Sequence, residues 1–225
     1  MAQTTSALWR RLFETPGTTR EYGFDINGVW YGTEAEVSNA VSNDLYGKFS
    51  FGNAACAKLT LEIYADNIPK GATIKRFVRL ANGGEVSEWL PKGIFYTNRR
   101  SVDDGFWVVE AFDAMLKGEQ TYLPDTITDD WPKPMTAAVN EIAQRMGVAI
   151  DPRTVINPAY MLAMPVGYTM RQVLAHIAAA HGGNFIITDV GELYLVPLLS
   201  APAESYNLVT ERGSTITLGG VRLIV

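Results

Sequence analysis

The sequence is poor in the residues that carry most protein chemistry: it has one cysteine and two histidines in 225 residues. A single thiol, Cys56, makes no internal disulfide, so a reducing site of synthesis is allowed. Cys56 lies in the apolar run NAACAKL, where a small buried residue is expected rather than a nucleophile. His176 and His181 fall five apart on one expected helix, roughly 140° apart around its axis. That spacing does not set two imidazoles on one metal as an i, i+4 pair does. A capping or core role is expected for both, with His181 beside the helix C-terminus.

Basic charge is also short. Lys and Arg number 19 against 24 Asp and Glu, a net charge of -5. Proteins that grip nucleic acid through phosphates carry a basic excess or stripe. Here the basic residues gather only in pairs such as Arg10-Arg11 and Arg99-Arg100, so no sequence-specific nucleic-acid partner is expected. No run reaches the roughly 18 apolar residues of a membrane helix. The start, MAQTTSALWRRLFE, has no continuous apolar core after a basic segment, so no secretory signal is expected there, and synthesis in a cytoplasm without membrane insertion is expected. Nucleophile elbow, phosphate loop, dinucleotide fingerprint and HExxH are all missing. The acidic pairs Asp103-Asp104 and Asp129-Asp130 sit in expected turns without the alternating oxygen donors of a calcium loop. No cofactor, no metal site, no catalytic residue and no enzymatic activity are expected.

What is present reads as an α+β chain in two packing units. TSALWRRLFE at 5–14 suits a short helix capped by Ser6, with Leu8, Leu12 and Trp9 near one face; with its linker it occupies 1–19. Residues 20–117 are β. Asn27-Gly28 marks a hairpin, because both turn positions need positive φ. KLTLEIY alternates, with Leu59, Leu61 and Ile63 on one face. ATIKRFVRL, EVSEWL, GIFYTNRR and FWVVEAF follow at close spacing, separated by turns at Asn82-Gly83-Gly84 and at SVDDG. Short strands at this spacing suit a small antiparallel β-barrel-like domain. Residues 118–131 are proline-bearing and aperiodic, a linker.

Residues 132–199 form an α/β unit of two helices and a hairpin. In the first helix Val139, Ile142, Ala143 and Met146 make one stripe, between a Thr136 cap and a Gly147 stop. In the second, Thr169 and Gln172 fit a capping box, and Val173, Leu174 and Ile177 face inward. Asp189-Val190-Gly191 turns the hairpin. Residues 200–225 return to β in TITLGGVRLIV, whose Ile216, Leu218, Leu223 and Val225 are candidate assembly contacts together with Trp9, Arg99 and Arg100. An apolar strand of this kind calls for a pairing partner.

Several phrases resemble the baseplate-hub or tail-tip proteins of prophages from Gram-positive bacteria. They are LYGKFSFGNAACAKLTLEIY at 45–64, SEWLPKGIFYTNRR at 87–100 and FWVVEAFDAMLK at 106–117. PMTAAVNEIAQRMGVAIDPRT at 134–154, YTMRQVLAHIAAAHGGNFIITDVGELYLVPL at 168–198 and TITLGGVRLIV at 215–225 continue in the same order. The resemblance implies a trimeric ring with two barrels per subunit and an α/β domain beside them, 200–225 beginning the second barrel. It further implies a structural role in the virion tail tip, joining the tail tube to the tip and forming part of the DNA channel. Expected partners are other copies of the chain in a homotrimer, tail-tube or distal-tail proteins, and a tape-measure protein as a further option. A cell-surface or carbohydrate-binding module and a tail-associated hydrolase are the alternative readings.

Overall fold

The structure is a computed structural model that describes residues 4–43, 45, 51–123 and 131–198, with the backbone alone at 217–218 and 221–222. Helix α1 (Ala7–Glu14) is followed by β1 (Thr19–Ile26), β2 (Val29–Tyr31), β3 (Glu36–Asn43), β4 (Asn53–Ala54), β5 (Ala57–Ile63) and β6 (Thr73–Asn82). Then come β7 (Glu85–Val86), β8 (Leu90–Asp103), β9 (Phe106–Phe112) and a 3-10 helix (Ala114–Glu119). The second half holds β10 (Lys133–Pro134), α2 (Met135–Met146), β11 (Met161–Leu162), α3 (Met170–Ala180), β12 (Gly183–Ile187) and β13 (Leu193–Pro197). Short strands β14 (Thr217–Leu218) and β15 (Val221–Arg222) pair with each other.

The chain is mixed and sheet-rich, and its main sheet is antiparallel in the order β2-β1-β6-β8-β9-β5-β3, with β7 on β6. The expected barrel is not closed: β2 and β3 lie at opposite ends of this order and share no ladder. The sheet nevertheless has to curl. Seven strands laid flat span roughly 29 Å between edges at the usual strand spacing. The chain passes from Tyr31 at one edge to Glu36 at the other through 32–35, a reach of about 17 Å at most. That short link folds into a turn in which Ala35 N–H donates to Gly32 and Glu36 N–H to Thr33. The curl collects Phe24 and Ile26 of β1, Leu59, Leu61 and Ile63 of β5, Ile74 of β6, Phe95 of β8 and Val109 and Ala111 of β9 into one buried cluster. Each large side chain buried this way contributes about 1.5–3 kcal/mol.

Bulges set which residues face inward. Leu90 and Phe95 are both buried although five apart on β8, because Lys92 and Gly93 together oppose the single residue Arg76 between the pairs Lys75↔Ile94 and Phe77↔Pro91. One extra residue reverses the alternation and bends the strand. A second irregularity separates Thr97 from Arg99 against β9. Strand β8 runs on to Asp103, three residues into the expected SVDDG turn, and reverses through its last two residues, Asp104 and Gly105, at φ 43° and 85°. The Asn27-Gly28 turn does hold positive φ at both residues, 51° and 89°.

The second core gathers α2, α3, β12 and β13 around Phe185, Val139, Ile142, Met146, Val173, Leu174 and Ile177. The Thr169 hydroxyl accepts from Gln172 N–H at 3.2 Å and the Gln172 side chain accepts from Thr169 N–H at 2.9 Å, a complete capping box. Helix α2 ends at Gly147 in the left-handed conformation. Its start departs from expectation: Pro134 occupies the cap with no side-chain hydrogen bond, and Thr136 lies inside the helix. Met135 N–H instead donates to Tyr160 O, so a backbone carbonyl replaces the missing hydroxyl.

Beyond the continuity of the chain, the two cores are joined by strand pairing, shared burial, hydrogen bonds and ion pairs. Strand β4, from the first half, pairs in parallel with β12, and Ala54, Cys56, Met115 and Tyr122 are buried in the second core. Arg171 of α3 reaches Ala54 O at 2.7 Å and Glu119 at 2.7 Å. At the bulge, Gly93 N–H donates to Asp189 O and Lys92 pairs with the Asp189 carboxylate at 2.8 Å.

Candidate assembly interface

Arg99 and Arg100 stand on the β8–β9 hairpin and line an open groove of about 950 Å³ with Lys58, Lys70, Trp107 and Glu110. The two arginines behave differently. Arg100 lies over the Trp107 ring, its guanidinium 5.0 Å from the ring centre, and donates to Ile68 O. Trp107 is itself held by Nε1–H donating to Ala65 O at 3.0 Å. Arg99 is exposed. Glu110 pairs with Lys58, and that hydrogen bond holds its carboxyl below the usual value. Four cations against one carboxylate make the groove basic on a chain whose net charge is -5. Val102 at the hairpin tip is 59% exposed, and Tyr64 meets Phe106 edge-on at 5.9 Å. An exposed mixture of arginine and aromatic side chains is the composition of protein-binding surfaces.

Trp9 occupies a different place. The Ser6 side chain accepts from Trp9 N–H at 3.0 Å and opens α1. The helix is tied to the β7–β8 region by Ser6 donating to Glu88 through both its amide and its hydroxyl, and by Arg11 pairing with Glu85 at 2.7 Å. Leu12 is buried and Trp9 stacks on Phe13 at 5.4 Å. The helix thus covers one end of the curled sheet, and Trp9 and Phe13 border a smaller cleft with Arg20, Tyr22, Arg76, Val78, Leu80 and Lys92. Trp9 and the Arg99-Arg100 pair belong to separate surfaces. Ile216, Leu223 and Val225 lie outside the described residues, as does the side chain of Leu218.

The two histidines and the cysteine have partners of other kinds. His176 meets Tyr168 edge-on at 5.1 Å. His181 receives Asn157 N–H at Nε2, 2.9 Å away, and its Nδ1 is 2.8 Å from Ile177 O. An accepting Nε2 leaves Nδ1 to carry the proton, so this ring bridges a loop to the helix end. The buried Cys56 thiol points at Asp113 Oδ1, 3.4 Å away. Asp113 also accepts from Ala57 and Met115 amides, each at 2.9 Å. Burial raises its carboxyl to about 6 despite those bonds. Among the described residues no group of three or more His, Cys, Asp or Glu could hold a metal ion. No helix among them is long and apolar enough to cross a membrane.

Arg76 stands outside the candidates named from the sequence. Lys75-Arg76 is a third basic pair, and the alternation Ile74, Arg76, Val78, Leu80 places a cation in an otherwise apolar face. That interruption was the available signal. For Asp113, Lys70 and β4 no local signal exists, since partners distant in sequence define their roles.

No family model matches the chain, and no curated protein matches it. The fold is similar to that of the 43 kDa tail protein of prophage MuSo2 from Shewanella oneidensis, with a TM-score of 0.53 and 12% identity, over 91% of this chain and 70% of that one. It is also similar to the tail protein from Neisseria meningitidis MC58, with a TM-score of 0.53 and 14% identity, over 82% of this chain and 53% of that one. This chain therefore spans about half the length of the meningococcal protein.

Proposed function

We propose that this chain is a structural, non-enzymatic component of a phage tail, and within it a baseplate-hub protein of the tail tip. The fold it shares with two phage tail proteins, over 91% and 82% of its length, carries the reading. In this role the chain joins the tail tube to the tip, lines part of the DNA channel and assembles as a homotrimer with tail-tube or distal-tail proteins beside it. The basic groove around Arg99 and Arg100 and the exposed hairpin tip supply a protein-facing surface on an acidic molecule. The acidic balance suits a channel that a polyanion must pass without being held. The engagement of both histidines with tyrosine rings and backbone, and the burial of the one thiol, support a non-catalytic role.

Cryo-microscopy of tails from the source phage tests the assignment directly. The expected result is this fold in a three-fold ring at the tube's tip. Density for the fold outside the tail, or a ring of another symmetry, rejects the hub reading. Incubating the purified chain with peptidoglycan and model peptides tests the absence of catalysis. Turnover abolished by a point substitution in this chain overturns that part.

A further inference from the structure

The face that β1 and β6 present to α1 is apolar except for two arginines. Cross-strand partners share a face, so the pairs Arg20↔Leu80, Tyr22↔Val78 and Phe24↔Arg76 align Arg20 and Arg76 with Val78 and Leu80. Arg76 lies opposite the β8 bulge, the kind of irregularity that re-aims a side chain. It is partly buried, donates from Nε to Asn39 Oδ1 at 2.8 Å and lies over the Tyr22 ring at 4.5 Å. Glu36 and Asp189 favour its charge from a distance, but no carboxylate among the described residues forms an ion pair with it. Burial holds its guanidinium below the usual value. The indole Nε1–H of Trp9, at the same cleft, is buried with no acceptor among the described residues.

Both features ask for the same group. Buried cations in proteins are paired, and buried donors are satisfied. The lining of this cleft of about 320 Å³ has no Asp or Glu; its cations are Arg20, Arg76 and Lys92, of which Lys92 is already paired with Asp189 outside the lining, so Arg20 and Arg76 carry the unmet charge. A carboxylate offers two oxygens, enough to take both a guanidinium fork and an indole N–H. Phe13, Val78 and Leu80 line the cleft beside them and suit the aliphatic part of such a ligand. We propose that this cleft is a carboxylate-recognition pocket that receives an acidic side chain of a partner polypeptide. Charge complementarity selects the carboxylate, and the apolar wall beside the cations selects a side chain carried on a chain. This site stands apart from the Arg99-Arg100 groove and holds whether or not the tail reading does.

The test uses the full chain and two blocked tripeptides, acetyl-Leu-Glu-Leu-amide and acetyl-Leu-Gln-Leu-amide, with sodium acetate and inorganic phosphate as further probes. Nitrogen–proton NMR of the Trp9 indole, assigned with Trp9→Phe, reports occupancy. The Glu peptide should shift that resonance and bind at least about tenfold more tightly than the Gln peptide. Raised salt should weaken it. Arg76→Gln should remove the preference for Glu. Arg20→Gln, at an exposed position, should lower it without perturbing the fold, so the result stands even where Arg76→Gln unfolds. Equal binding of the two peptides, or no Trp9 shift up to about 10 mM Glu peptide, overturns the proposal. Acetate as tight as the peptide rejects a polypeptide occupant in favour of a free carboxylate. Phosphate tighter than either rejects the carboxylate class.

Discussion

Asp113 sits where the two cores meet, and its chemistry makes a residue-level prediction. Its folded value is raised from 3.8 to about 6, mainly by burial. The folded state therefore holds the proton more tightly than the unfolded chain does. This group's contribution to stability is fully present below about 3.8 and is lost as pH rises through about 6. Asp113→Asn removes the titration. Between pH 5 and 7.5 the wild type should lose about 1.4 kcal/mol relative to that variant, read from urea midpoints at each pH. A constant difference across the range counts against a raised carboxyl. The variant should be less stable at pH 5, because an amide cannot accept from Cys56, Ala57 and Met115 as the acid's two oxygens do. Gly183 gives a second test at this scale. A Cβ there would stand 2.5 Å from Val196 O on the paired strand. Gly183→Ala should cost about 1–3 kcal/mol through strand displacement, seen as a lower melting temperature. An unchanged melting temperature means that β13 yields freely.

Among the elements, α3 was the most legible in sequence. Thr169, Gln172, Val173, Leu174 and Ile177 all lie where the capping box and the 3.6-residue period require. Thr169→Ala should remove about 1 kcal/mol, measurable by thermal denaturation, and Thr169→Ser should restore most of it. If the alanine variant melts with the wild type, the cap contributes nothing. The strands were legible as strands but not as a sheet. Alternation placed Leu59, Leu61 and Ile63 inward, yet it did not show the bulge at Lys92 and Gly93 or the extension of β8 to Asp103. A bulge is decided by which strand lies alongside, and neither strand's own sequence states that. Helix α1 was readable from Ser6 and Leu12, while its anchoring by Glu85 and Glu88 required the fold.

At the scale of the whole molecule, the two cores share an interface built from β4, the 3-10 helix and the bulge contact to Asp189. The burial of Cys56, Met115 and Tyr122 in the second core means that its unfolding would expose segments contributed by the first half. Near-ultraviolet circular dichroism and calorimetry should therefore report one cooperative transition for the full chain. Two well-separated transitions would show that the shared interface couples the cores weakly. The assembly proposal belongs to this scale as well. Replacing Arg99 and Arg100 together by Glu should reverse the groove's charge and shift the chain towards monomer at low salt, read by light scattering after size-exclusion chromatography. A purely internal role for Arg100, on Trp107 and Ile68 O, would instead lower stability without changing mass.

The sequence by itself determined the kinds of element and the inward faces of β5, α2 and α3, because these depend on residue period, caps and turn chemistry within a few neighbours. It also determined the turn at Asn27-Gly28, since only the backbone preferences of those two residues are involved. The tertiary structure decided that the main sheet stays open while curling, because closure is a matter of hydrogen bonding between edges and not of strand count. It decided that Asn53–Ala54 joins the second sheet, which two residues cannot announce. It brought Trp9, Arg20 and Arg76 to one cleft, since a site's chemistry comes from residues that meet only after distant strands have paired.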